Sequence, residues 1–237
     1  MAVCEHFFPD HASLLDMLVS RIERCLERGI SENDKATFMI SGGSTPKPLF
    51  ELLSKSEIAW RHVSCALVDE RWVAEDHEAS NTALVREHLL RDKARHARFQ
   101  RTWVDDKTVE ERVAQLNERG FWRDLEPTVT ILGMGSDLHT ASIFPDADHT
   151  VTALAPTAPT LLHTYPTGTP TNPPFDRVTL SRNAIARSSE LILLLRGDEK
   201  RERYEYAKTL TPDNASSAPI VALLSDPDLR VEVYGSP

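Results

Sequence analysis

Apolar residues recur at helical spacing after Asp10, at Leu15, Leu18, Val19, Ile22 and Leu26, with Asp10 suited to an N-cap and Gly29 to a stop. This predicts an amphipathic helix. The pattern then changes to short, nearly continuous apolar runs separated by polar, helix-like stretches. "ATFMI" (36–40), "VSCALVD" (63–69), "VTILG" (129–133), "DRVTLS" (176–181), "ELILLLR" (190–196) and "PIVALL" (219–224) read as strands, the continuous runs as buried ones. Between them, "PKPLFELLSKS", "SNTALVREHLL", a segment around 107–121, another near 182–188 and "DEKRERYEYAKTL" read as helices, the first with proline in its opening turn. Strands alternating with helices predict βαβ crossovers, hence an α/β, Rossmann-like fold with a mainly parallel sheet and helices on both faces. No internal repeat interrupts the pattern, and one domain over 1–237 is expected. The proline-dense stretch 156–174 is either a linker or an insertion between two strands of the same sheet, and the flanking strands favour the insertion.

Composition narrows the setting. The 237 residues carry a formal charge of −9, which argues against broad attraction to nucleic acid and requires any anionic ligand to be held by local basic groups. Three cysteines, Cys4, Cys25 and Cys65, form no C-x-x-C pair, so neither a disulfide framework nor a zinc ribbon is expected. The N-terminal stretch does not read as a secretory signal, and no run of about 18 apolar residues occurs. A soluble cytoplasmic protein, with no membrane or nucleic-acid partner and either monomeric or homodimeric, is the expectation.

In open α/β sheets ligands bind beyond the carboxyl ends of the strands, and three polar stretches occupy that position here. In "SGGSTP", Ser41 to Pro46, glycines at a strand-to-helix turn let backbone N–H groups approach a phosphate; an ordinary glycine turn capped by Ser or Thr reads equally well. In "VDERWV", Asp69, Glu70 and Arg71 are either an ion-pair cluster or a guanidinium aimed at a phosphate. In "GMGSDLHTASIFPD", Asp137 and His139 form a D-x-H pair after two glycines. The pair suits a general base with an orienting carboxylate, half a metal site, or a cap at a helix start. Leu138 stands where a dinucleotide fingerprint needs its third glycine.

Together and in this order, "SGGSTP", "VDERWV…SN", "GMGSDLHTASIFP" and "RVTLSRNAI…LLLRGDEK" resemble the 6-phosphogluconolactonase family, within the superfamily that also holds glucosamine-6-phosphate deaminases, over roughly residues 36–224. The resemblance implies a sugar-phosphate substrate, 6-phosphogluconolactone, hydrolysed without metal or cofactor. It implies that His139 activates water, that Asp137 orients the imidazole, and that Arg71, Lys200 and the Gly42, Gly43, Ser44, Thr45 turn hold the substrate phosphate, with Arg177 as a further contact. Many family members carry glycine where this chain has Leu138; a residue flanking a helix start needs no positive φ, so leucine is expected to fit. In the deaminases the corresponding stretch resembles D-G-H-I-A-F-N-E-P and the D-E-R arginine is a tyrosine, whereas Phe144 and Arg71 stand here. A sugar-phosphate sensor would normally add a DNA-binding element, for which these sequence ends leave no room. A metallohydrolase built on His139, Asp146, Asp148 and His149 matches no standard zinc spacing.

Overall fold

The computed structural model describes residues 2–166 and 174–237. Among them, a seven-stranded parallel sheet is built from β1 (Ala2–Phe7), β2 (Ala36–Ile40), β3 (Val63–Leu67), β5 (Arg98–Gln100), β6 (Val129–Leu132), β9 (Glu190–Arg196) and β10 (Arg230–Ser236), in the order β1-β10-β9-β6-β2-β3-β5. Successive strands from β2 run outward through β3 to β5, and those from β6 run the other way through β9 to β10. The direction of winding therefore reverses between β2 and β6, where neighbouring connections leave on opposite faces and open a crevice.

Alternation along the strands feeds two cores. Phe38, Ile40, Ile192 and Leu194 face a layer containing α1 (His11–Asn33), α2 (Lys47–Leu53) and α3 (Asn81–His88). Met39, Leu191, Leu193 and Leu195 face the opposite layer. That layer contains α4 (Val109–Glu118), α5 (Gly120–Arg123), α7 (Arg182–Ala186), α8 (Asp198–Lys208) and α9 (Val221–Leu224), with α6 (Thr150–Leu154) packed nearby on α7. The helices-on-both-faces architecture is thus the one expected. The side chain of Asp10 caps α1 by accepting from Ser13 N at 2.8 Å.

Several elements differ from the sequence expectation. Helix α1 does not stop at Gly29 but runs to Asn33, because Gly29 is a buried packing position against Thr128. The run "PIVALL" is not a strand: its Val221–Leu224 portion is α9, with Ile220, Val221, Leu223 and Leu224 all buried, so periodicity gave no sign of which state it adopts. The segment 107–121 divides into α4 and α5 at Arg119. The proline-dense stretch contains a strand, β7 (Leu161–Thr164), while 167–173 lie outside the described residues. "DRVTLS" contributes β8 (Arg177–Leu180), and β8 does not join the main sheet. It is the centre of a three-stranded antiparallel sheet, order β4-β8-β7, with β4 (Asp69–Arg71). The edge strands β1 and β5, and β10 beside β1, were not foreseen. Among the described residues, no helix is long and apolar enough to cross a membrane.

Candidate active site

The crevice at the switch point is a cavity of about 460 Å³ beyond the carboxyl ends of β2, β3, β6 and β9. Its wall includes Ser41 to Pro46 after β2, Asp69 and Arg71 after β3, Gly133 to Gly135 and His139 after β6, and Arg196 and Lys200 at and beyond the end of β9. The three polar stretches singled out in the sequence therefore meet in one place.

The turn after β2 depends on missing side chains. A Cβ on Gly42 would lie 1.9 Å from Asn81 Oδ1, and Gly43 has φ +91°, so the backbone lies close against the start of α3 and turns back into α2. No side chain caps α2 and it is seven residues long, so the N-cap reading of Ser and Thr does not apply. What the turn offers the cavity is backbone together with Ser41, Ser44 and Thr45.

The D-E-R triplet divides into three separate tasks. Glu70 is buried, and its carboxylate accepts from the backbone N–H of Arg71, Asn81 and Thr82 and from the hydroxyls of Ser80 and Thr82. It ties the N-terminus of α3 to β4. Burial pushes this carboxyl up, against the pull of those donors on its charged form. Asp69 accepts from Ser142 Oγ at 2.7 Å, linking the triplet to the segment that carries His139. Arg71 donates through Nη1 to Ala79 O at 2.7 Å, while its buried Nε has no hydrogen-bond partner among the described residues. The ion-pair reading fails, because the neighbouring carboxylates are engaged elsewhere.

After β6 the chain forms a tight turn, not a helix: Leu138 N donates to Gly135 O at 3.0 Å and Gly135 N to His139 O at 2.9 Å. A Cβ on Gly135 would lie 2.2 Å from His139 Nδ1 and 2.3 Å from Asp137 Oδ1, so only glycine lets the pair fold back across it. His139 Nδ1 lies 2.6 Å from Asp137 Oδ1. Burial alone would raise the Asp137 carboxyl; the hydrogen bond and charge of His139 outweigh it and hold the carboxyl below its ordinary value. Leu138 has φ +70°, which corrects the expectation that it needs no positive φ. Its side chain is 2% exposed and packs in the core, and its carbonyl accepts from Ile220 N at 3.1 Å, so α9 supports the turn from below.

Of the residues singled out in the sequence, Gly42, Gly43, Ser44, Thr45, Arg71, His139 and Lys200 line the cavity. Asp137 stands behind His139. Arg177 does not reach the wall: it pairs with Arg71 across β4 and β8, is 2% exposed, and is brought down to about 10 by burial and by the charge of Arg71. Two lining residues were not anticipated as ligand contacts, Asn81 and Arg196; the position of Arg196 as the last residue of a central strand was the available signal. Among the described residues, no three His, Cys, Asp or Glu side chains are grouped as metal ligands, so His139, Asp146, Asp148 and His149 do not converge.

In sequence and in fold the chain is similar to known proteins. A family model described as glucosamine-6-phosphate isomerases/6-phosphogluconolactonase matches residues 9–230. A 6-phosphogluconolactonase of Neisseria meningitidis is 35% identical over 204 residues, 85% of this chain and 87% of that protein. One of Rhizobium meliloti is 32% identical over 237 residues, covering 100% of both. The crystal structure of a 6-phosphogluconolactonase from Shewanella baltica superposes with a TM-score of 0.91 at 37% identity, covering 99% of this chain and 98% of that one. The chain belongs to the glucosamine-6-phosphate isomerase/6-phosphogluconolactonase family.

Proposed function

We propose that the chain hydrolyses 6-phosphogluconolactone to 6-phosphogluconate, the lactonase step of the oxidative pentose phosphate pathway, with His139 as general base. The observation that carries this reading is the meeting, in one cavity, of a carboxylate-paired histidine with Arg71, Lys200 and a glycine turn. With Nδ1 donating to Asp137, the lone pair of His139 is on Nε2. That nitrogen takes a proton from water as the water attacks the lactone carbonyl, and the imidazolium returns it to the departing ring oxygen. Asp137 fixes the tautomer and stabilises the transient positive charge. The phosphate lies against the Gly42–Thr45 backbone, Arg71 and Lys200, and its binding energy holds the carbonyl in place for attack. Arg71 suits this task because it lines the cavity while Nη1, anchored to Ala79 O, holds the guanidinium in place.

Ring isomerisation or deamination would need a further acid–base carboxylate near the histidine. Phe144, the residue before the proline where the deaminases carry glutamate, packs its ring 5.2 Å from His139 instead, which favours hydrolysis. The test is turnover of freshly generated 6-phosphogluconolactone, measured against a blank that corrects for spontaneous hydrolysis. Catalysed acid release is expected, and rates equal to the blank would remove the assignment. In the same assay, Arg71→Ala is expected to lower kcat/KM for the phosphorylated lactone by about tenfold or more, as loss of a charge-assisted contact requires. The unphosphorylated lactone is expected to be a poor substrate of the unmodified protein.

A further inference from the structure

We propose that Arg196 is an additional specificity-determining cation of the phosphate site, gripping the substrate phosphate from the α1/α2 face of the sheet opposite Lys200. This rests on the lactonase reading and extends its binding site by one residue.

Position is the first ground. Ile192 and Leu194 of β9 pack in the layer under α1 and α2, and side chains of a strand alternate, so Arg196 points to that same face. The Gly42–Thr45 turn leads into α2 on the same face. The chain then bends at Gly197 into α8, which lies on the other face and carries Lys200. Two cations four residues apart in sequence thus approach one cavity from opposite sides of the sheet, and both line it.

Availability is the second ground. Arg196 is exposed, and among the described residues its side chain makes no hydrogen bond or ion pair. Its neighbour His11 is no anionic partner; burial and then the charge of Arg196 push the ring down. Inside the cavity the charged lining groups are Arg71, Arg196, Lys200 and Asp69, and Asp69 is already engaged by Ser142. In a chain of net charge −9, three cations facing one carboxylate make this crevice a local place for a doubly charged phosphate. Arg196 ends a central strand of the sheet and its side chain is exposed, which leaves the guanidinium accessible to a ligand in the cavity.

The test measures 6-phosphogluconate binding by calorimetry and lactone turnover for the unmodified protein, Arg196→Gln and Arg196→Lys. Arg196→Gln is expected to weaken 6-phosphogluconate binding and raise KM for the phosphorylated lactone by about tenfold, with a much smaller change in kcat. The melting temperature and the turnover of unphosphorylated lactone are expected to stay unchanged, and Arg196→Lys to recover part of the affinity. Unchanged 6-phosphogluconate affinity in Arg196→Gln, no binding by the unmodified protein, or an equal loss on the unphosphorylated lactone would each overturn the proposal. If the unmodified protein binds 6-phosphogluconate in an Arg196-dependent way yet fails to hydrolyse the lactone, the lactonase reading fails and the role of Arg196 stands.

Discussion

His139 and Asp137 meet because Gly135 has no side chain, a dependence the motif spells out in letters but whose reason appears only when the turn is built. A positioned general base contributes typically about 10²–10⁴-fold. His139→Ala is therefore expected to lower kcat by that order while the protein stays folded and binds 6-phosphogluconate; near-unchanged turnover would transfer the role to another group. Asp137→Asn bears on the sign of the pH dependence. The base works when unprotonated, so activity falls on the acidic side; removing a charge that stabilises the imidazolium moves this acidic limb to lower pH, together with a smaller loss of kcat. A limb that moves upward would refute an electrostatic role for Asp137. At this scale the sequence was most legible where the partners stand close in the chain, as with the histidine and the carboxylate two residues before it, which the structure holds 2.6 Å apart. It was least legible for arginines, since a guanidinium reaches several ångströms and its target depends on which sheet its strand joins. That is why Arg177 was included and Arg196 was not.

The turn from Gly133 to Phe144 works as an element through its supports: Leu138 is inserted into the core, Ser142 is bonded to Asp69 and Thr179, and Thr164 donates to the Ser142 carbonyl. A leucine at φ +70° costs about 1–2 kcal/mol in backbone terms, whereas burying its side chain is worth about 1.5–3 kcal/mol, with a cavity cost added on removal. Packing outweighs strain. Leu138→Gly is therefore expected to destabilise the protein by roughly 1–3 kcal/mol, lowering the melting temperature by several degrees, even though glycine is relaxed at that φ. A raised melting temperature would show that strain dominates. The positive φ was missed because the stretch reads as a helix start, where the glycine of many family members carries no conformational meaning, whereas the chain makes a tight turn there. Similarly, "PIVALL" was misread because a short apolar run buried on all sides has no polar face from which to take a period. The α1 and β2 patterns were legible for the opposite reason, each having a periodicity or length that only one state satisfies.

At the scale of the molecule, the reversal of strand order between β2 and β6 decides where the site lies, and the alternation of strands and helices in the sequence already implied such a crevice. The antiparallel sheet of β4, β8 and β7 was not implied, because the pairing of β4 with β8 joins segments more than a hundred residues apart and β7 lies within a proline-dense stretch. Since the proposed chemistry draws on an imidazole and fixed cations, exhaustive dialysis against EDTA is expected to leave turnover unchanged. Loss of activity restored by zinc or manganese would reinstate a metal-assisted reaction. The pairing of β1 with β10 affects the order in which the molecule can be assembled. Among the described residues β1 has β10 as its sole neighbour in the main sheet, in register from Ala2 with Arg230 to Phe7 with Gly235. During synthesis β1 leaves the ribosome well before β10 and must therefore wait without this partner while more than two hundred residues are made, so that this side of the sheet closes only once β10 has been translated.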